Sequence, residues 1–430
     1  MTDSLLVAPR EGAYGTVAIP GSKSISNRAL LLCALADGTT ELSALLESDD
    51  TRYMRQALAA LGVDVVANSE TEFTVKGCGG DFPNRKASLF LGNAGTAVRS
   101  LTAVLALTAG EFEIDGIARM RERPIKDLLD ALQPLGATID CLDNEGFLPL
   151  RLSTQSLAQT LSTAVKGNVS SQYLTGLLMA LPVTGKAAEI QIVGELISKP
   201  YVAMTIALMK QFGVEVINHD WQRFEIPAGQ CYRSPGVLRV EADASSASYF
   251  LAAGAIGGDV TIEGVGADSL QGDVKFADAL AVMGANVEWG PDWIRCARPQ
   301  SGQLKAFDLD LNHIPDAAMT LAVAAVFADG PCHLRNIGSW KVKETDRILA
   351  MANELSKLGI KVEYTDERLS VWPGQPKAHI DIETYDDHRI AMCFSLISLA
   401  GVPVNILDPG CTAKTYPKYF DDFATLAERS

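Results

Sequence analysis

Six times along the chain a cluster of small and polar residues gives way to a run that is apolar on nearly every face. The runs start at residues 26, 96, 172, 246, 317 and 389, so successive starts lie 70–76 residues apart. Helices without a polar face are buried all round. A second landmark repeats in phase: an amphipathic helix closes on a glycine (Gly62, Gly136, Gly213, Gly284, Gly359), and a strand follows. These glycines stand 71–77 residues apart. A shared period this long exceeds the 20–50 residues of solenoids and propellers, so it marks a small folded module. Its content reads as strand, buried helix, strand, amphipathic helix, strand, strand. The second helix carries charge on one face, as over residues 52–56 and 348–357, and belongs outside. Six modules in two groups of three predict two halves, each packed around three interior helices whose polar N-termini are where polar ligands meet. The length of 430 residues suits two domains of about 200.

The boundary falls near residues 20 and 240. The turn Ser234-Pro235-Gly236 leads into the fourth module, and the strand over residues 15–20 pairs equally well with either half on its pattern alone.

Composition narrows the function. No apolar run reaches the 18 or so residues of a membrane span. Residues 1–4 (Met-Thr-Asp-Ser) read neither as a secretory signal nor as a transit peptide. Eight cysteines without a CxxC pair, and five histidines without metal-ligand spacing, predict no metal, no disulfide framework and a reducing cytoplasm. A net charge of −15 disfavours nucleic acid and anionic membranes, so any anionic substrate needs a local basic cluster.

Such clusters are present. In Gly21-Ser22-Lys23-Ser24-Ile25-Ser26-Asn27-Arg28, two cations stand at a helix start, where the macrodipole favours anions. The alternatives are a solvated N-cap or an anion held between the cations and the free backbone amides. Residues 119–124 place three arginines before a helix with Pro124 at its first turn, a run that is otherwise a solvated loop. Lys343 and Arg347, four apart, share a helical face as a like-charge pair that a bound carboxylate would relieve. Asp316 begins an otherwise apolar helix and is a plain N-cap or a functional acid.

With these residues in view the chain resembles the enolpyruvyl transferases, specifically the 5-enolpyruvylshikimate-3-phosphate synthase family. The resemblance spans the whole length and rests on nine segments in order: 21–28, 91–97 (Leu-Gly-Asn-Ala-Gly-Thr-Ala), 121–125, 169–172, 198–201, 316–319, 343–347, 387–389 and 414–415. It implies an α/β fold, a two-domain inside-out α/β barrel with three βαβαββ units per domain around buried parallel helices. Residues 1–20 and 241–430 would form domain 1, carrying the phosphoenolpyruvate side and the proton-transfer groups. Residues 21–240 would form domain 2, the shikimate 3-phosphate side. The implied reaction transfers the enolpyruvyl group of phosphoenolpyruvate to the 5-hydroxyl of shikimate 3-phosphate and releases phosphate through a tetrahedral intermediate. These small molecules would be the only partners, with no nucleic acid, membrane, metal or cofactor, and the chain a monomer in the cytoplasm.

The resemblance also implies residue roles. Ser24 and Arg28 hold the shikimate carboxylate, and Ser170, Ser171 and Ser198 cradle its phosphate, with Gln172 and Tyr201 completing the pocket. Ser339, Lys343 and Asp316 also face this substrate. Gly95, Arg123, Gln172, Arg347, Arg389 and Lys414 bind phosphoenolpyruvate, and Lys23 reaches both substrates. Asp316 accepts the 5-hydroxyl proton, Glu344 or Lys23 serves the methylene carbon, and His388 is a further candidate for proton transfer. Arg119 and Arg121 remain surface charges. Ser100 departs from the family pattern, which commonly has proline there, and this predicts a modest change in tolerance of glyphosate, a phosphoenolpyruvate-site inhibitor. The basic stretch 164–168 is also atypical. The sister enzyme acting on UDP-N-acetylglucosamine is the nearest alternative, but it carries a reactive cysteine in the loop matching 119–124, and no cysteine lies between Cys78 and Cys141. A non-catalytic anion-binding protein would lack Asp316 and Glu344.

Overall fold

Burial along Leu161–Lys166 alternates strictly, one residue inside and the next outside, as a half-buried strand requires. The structure, a computed structural model, describes residues 3–426. Its strands form six separate small sheets, and among the described residues none closes into a barrel. The third module shows the common plan. Leu161–Lys166 pairs in parallel with Ala188–Val193 across the buried helix Ser171–Ala180. Arg223–Ile226 then pairs antiparallel with Ala188–Val193, and Ile217–His219 takes the edge. Five sheets have four strands in this order and one has three.

The six interior helices are Lys23–Leu35, Gly95–Ala106, Ser171–Ala180, Ala244–Gly257, Ala318–Ala324 and His388–Ser395. They start within three residues of the positions read from the apolar runs. Outer helices such as Asp49–Ala60 bury one face only. Gly62, Gly136, Gly213, Gly284 and Gly359 all sit at φ between 80° and 98°, the left-handed conformation that lets a strand leave directly after a helix.

Three modules borrow strands. Tyr14–Ala18 pairs in parallel with Asp259–Glu263, so it belongs with the later part of the chain. The module of Lys23–Leu35 instead takes Val237–Arg239 as its first strand, parallel to Thr39–Ser43. The last module takes Ser4–Val7, antiparallel to Val404–Leu407, where the others use their own fourth strand. The chain accordingly divides into two compact units, Met1–Pro20 with Glu241–Ser430, and Gly21–Val240. In the first unit Arg10 donates to the carbonyls of Phe423 and Leu426 and stacks on the Phe423 ring, tying the N-terminal segment to the helix Tyr419–Thr425.

Candidate active site

In the unit Gly21–Val240 some members of the polar cluster at residues 21–28 brace the helix start. Ser22 caps the helix by accepting from the Ile25 amide, Ser26 accepts from the Leu46 amide, and Asn27 donates to the Lys23 carbonyl. Ser24 is half-buried, whereas Lys23 and Arg28 are buried. Lys23 Nζ lies 3.9 Å from Asp50. Arg28 donates through Nε to Thr205 Oγ1 at 2.7 Å and through Nη1 to the Ser24 carbonyl at 3.0 Å. Thr205 in turn donates to the Tyr201 carbonyl, which links Arg28 to the start of the helix Lys199–Gln211. Burial pulls the Arg28 guanidinium down to about 10, partly offset by Tyr201.

Nearby in sequence to that helix, Ser198 is buried with φ of 51°, a conformation that costs a non-glycine residue about 1–2 kcal/mol. Such strain is characteristic of ligand-binding positions. Ser170 caps the helix Ser171–Ala180 through the Gln172 amide. At the start of Gly95–Ala106 the backbone is pressed by two guanidinium groups. A Cβ on Gly95 would stand 2.9 Å from Arg123 Nη2 and from Arg99 Nη1. Arg123 donates to Asn93 Oδ1 at 3.0 Å, and its Nε is buried without a hydrogen-bond partner. Among the described residues neither Arg28 nor Arg123 has a carboxylate within 4.0 Å. A buried cation without an anionic partner is costly.

The other two arginines of the 119–123 run point elsewhere. Arg121 forms a two-pronged contact with Asp115, and Arg119 pairs with Glu122, on side chains that are half-buried or exposed. Pro124 lies between the helices Ala118–Glu122 and Lys126–Leu132, not in a first helical turn as its spacing predicts. Its carbonyl accepts from Arg99 and from Tyr173, which ties the helices Gly95–Ala106 and Ser171–Ala180 to this turn. Ser100 falls in the second turn of its helix, where its hydroxyl donates to the Thr96 carbonyl at 2.8 Å.

In the other unit the charged groups form one network. Asp316 Oδ1 meets Arg347 Nη1 at 3.0 Å and Lys343 Nζ at 3.4 Å, while Oδ2 meets Arg389 Nη2 at 3.0 Å. Glu344 accepts from Arg347 Nη2 at 3.0 Å and lies 3.9 Å from Lys414 Nζ. Asp387 receives Arg347 Nε at 2.8 Å and caps the helix His388–Ser395 through the Arg389 amide. Arg389 also donates to the Tyr249 hydroxyl at 3.2 Å. Burial alone would lower the Arg347 guanidinium, yet Asp387, Glu344 and Asp316 hold it well above its ordinary value. Four cations face three carboxylates, and Asp316 keeps 14% of its side chain exposed.

Two expectations change here. Asp316 is not an N-cap: the helix begins at Ala318, and the Ala317 amide is capped by Asp273 at 3.4 Å. Lys343 and Arg347 do not share a helical face, because Lys343 ends the 3-10 turn Gly338–Val342 and Arg347 starts the next helix. They approach from different directions, and it is Asp316 that compensates their repulsion. Trp340, in that turn, donates from Nε1 to the Pro315 carbonyl at 2.7 Å and so fixes the turn carrying Asp316. Ser339 is half-buried there and takes no part in the ion pairs. His388 is wholly buried, its Nδ1 3.6 Å from Asp387 Oδ1.

The family model of EPSP synthase (3-phosphoshikimate 1-carboxyvinyltransferase) matches residues 7–423. The chain belongs to the EPSP synthase family. A 3-phosphoshikimate 1-carboxyvinyltransferase of Thiobacillus denitrificans is 59% identical over 420 residues, covering 97% of this chain and 98% of that protein. One from Nitrosomonas europaea is 59% identical over 417 residues, 96% of each. Among solved structures, EPSP synthase from Acinetobacter baumannii superposes with a TM-score of 0.81 at 24% identity, covering 99% of this chain and 98% of that one. The enolpyruvyl transferase NikO from Streptomyces tendae follows with a TM-score of 0.78 at 19% identity, covering 99% and 98%. These two likenesses establish the α/β fold shared across the EPSP synthases and a further enolpyruvyl transferase.

Asp387, Arg99, Asn93, Asp50 and Trp340 were not singled out for roles by sequence reasoning. Asp387 and Asn93 each sit within a segment that marks the family, and Arg99 lies two residues beyond one, which is the available signal. Trp340 offered none, since its contact to Pro315 joins elements 25 residues apart.

Proposed function

We propose that the chain transfers the enolpyruvyl group of phosphoenolpyruvate to the 5-hydroxyl of shikimate 3-phosphate and releases phosphate. Each substrate carries a phosphate of about −1.5 to −2 and a carboxylate, so their approach needs dense positive charge. Arg28 and Ser24 take the shikimate carboxylate, and Ser170, Ser171 and Ser198, with Gln172 and Tyr201, take its phosphate. Gly95 and Arg123 receive the phosphoenolpyruvate phosphate, with Lys23 and Gln172 beside it. Arg347, Arg389 and Lys414 hold the remainder of that substrate. Lys343 and Ser339 face shikimate hydroxyls.

The observation that carries the reading is Asp316, a partly exposed carboxylate held by three cations within 3.4 Å. A substrate anion that engages Arg347 and Arg389 takes over part of the charge that holds Asp316 and leaves the carboxylate available as a base. Asp316 then accepts the 5-hydroxyl proton as oxygen adds to C2, while C3 gains a proton from Glu344 or Lys23. Loss of a C3 proton and of phosphate from the tetrahedral intermediate gives the enol ether. His388 is wholly buried, with Nδ1 3.6 Å from Asp387 Oδ1, and is the further candidate for proton transfer. Orientation and charge neutralisation supply much of the rate.

Phosphate release from shikimate 3-phosphate and phosphoenolpyruvate tests this, with UDP-N-acetylglucosamine as control acceptor. Turnover only with shikimate 3-phosphate, and a drop of about 10²-fold or more in Asp316→Asn and Glu344→Gln, are expected. Release with the nucleotide sugar alone would move the chain to the sister activity, and no release with either would leave an anion-binding protein.

A further inference from the structure

Arg347 and Glu354 lie on one helix seven residues apart, which is two turns and about 10.5 Å along the same face. Both grip the segment 383–387. Arg347 binds the Asp387 carboxylate, and Glu354 accepts from the Glu383 amide at 3.1 Å and from the Tyr385 hydroxyl at 2.6 Å. Between the two grips, Tyr385 and Asp386 are both left-handed, with φ of 56° and 53°. Two successive non-glycine residues in that region do not persist unless their surroundings hold them. Glu354 has no exposed surface, and Lys357 Nζ, 2.9 Å away, balances its charge.

We propose that Glu354 is a positioning residue for the transfer reaction, fixing through Glu383 and Tyr385 the strained turn that presents Asp387 to Arg347. The inference rests on the proposed role of Arg347 toward phosphoenolpyruvate. Asp387 sets the rotamer of Arg347 through two of its three nitrogens, Nε at 2.8 Å and Nη2 at 3.3 Å. A turn that relaxes would carry Asp387 off this alignment and turn the guanidinium away from the substrate. Burial and Glu354 together push the Tyr385 phenol up to about 12, so at neutral pH it keeps its proton and donates.

The test compares Tyr385→Phe, Glu354→Gln and Glu354→Leu with the unmodified chain, by steady-state phosphate release and by calorimetric titration of shikimate 3-phosphate. Tyr385→Phe removes one bond to a charged acceptor and is expected to raise KM for phosphoenolpyruvate about tenfold and lower kcat. Glu354→Gln keeps an acceptor for Tyr385 and should stay within about threefold, while Glu354→Leu loses both grips and should exceed the Phe variant. Kd for shikimate 3-phosphate should hold within twofold throughout, a split that general loosening would not produce. Tyr385→Phe decides the matter if Glu354→Leu fails to fold. Wild-type KM for phosphoenolpyruvate in Tyr385→Phe, or both constants rising together with a lowered melting temperature, overturns the inference while leaving the activity intact. An unmodified chain that releases no phosphate from the substrate pair overturns both.

Discussion

Replacing Arg28 by methionine separates what this side chain does for the fold from what it does for a ligand. Burial lowers its guanidinium to about 10, some two and a half decades below its ordinary value, and each decade corresponds to about 1.4 kcal/mol. Holding the charge in place therefore costs the protein about 3–4 kcal/mol. The variant forfeits hydrogen bonds to Thr205 and to the Ser24 carbonyl, each worth about 1 kcal/mol net, and methionine fills much of the same volume. Thermal stability should thus be unchanged or higher by about 1 kcal/mol. Affinity should move the other way, because truncating one partner of a buried charge pair costs about 2–5 kcal/mol, or roughly thirty- to several-thousandfold in Kd. Scanning fluorimetry with and without shikimate 3-phosphate reads both signs at once. At a hundredfold excess over the wild-type Kd, the ligand should stabilise the unmodified chain by about 2.7 kcal/mol and the variant hardly at all. A variant that loses more than about 2 kcal/mol of stability yet binds with wild-type affinity would show Arg28 to be structural.

Three further outcomes follow from the same geometry. Gly95→Ala should raise KM for phosphoenolpyruvate at least tenfold (about 1.4 kcal/mol) with little loss of stability, since its Cβ first meets the far ends of the Arg123 and Arg99 side chains rather than backbone; steady-state kinetics with unchanged KM would contradict this. Asp387→Asn should destabilise by about 2–3 kcal/mol, because Arg347 retains Glu344 and Asp316, and Asp387→Ala by about 1 kcal/mol more through the lost helix cap, as read by urea denaturation. His313 has its proton affinity lowered by burial, aided by Lys275 and opposed by Asp310 and Asp278. The unfolded chain therefore takes up that proton first as pH falls below about 6.5, and stability declines there. His313→Gln should lessen the loss of urea midpoint between pH 7.5 and 5.5, and an unaltered difference would refute the assignment.

The six interior helices were legible because a helix apolar on all sides has only one place to go, and their polar N-termini announced themselves by contrast. Strand partnership was not. Residues 15–19 alternate in a way that suits any half-buried strand, so nothing local says that Val17 pairs with Ile262. Ser4–Val7 is too short to stand out, and its partner lies 400 residues away. At the site, the types of Lys343, Arg347 and Asp316 were informative but their spacing misled. Four residues suggest one helical face only where the helix is continuous, and here it starts at Arg347. The pairing of Arg347 with Asp387 spans 40 positions and was invisible to local patterns.

The exchange of first strands has a practical corollary for dissection. Gly21–Val240 contains every strand of its own three sheets, Val237–Arg239 included, so it can be excised as one uninterrupted piece. The stub left behind is nearly spliced already, because the Pro20 carbonyl accepts from the Asp243 amide at 2.8 Å. A graft of two or three residues would rejoin it without disturbing any ladder.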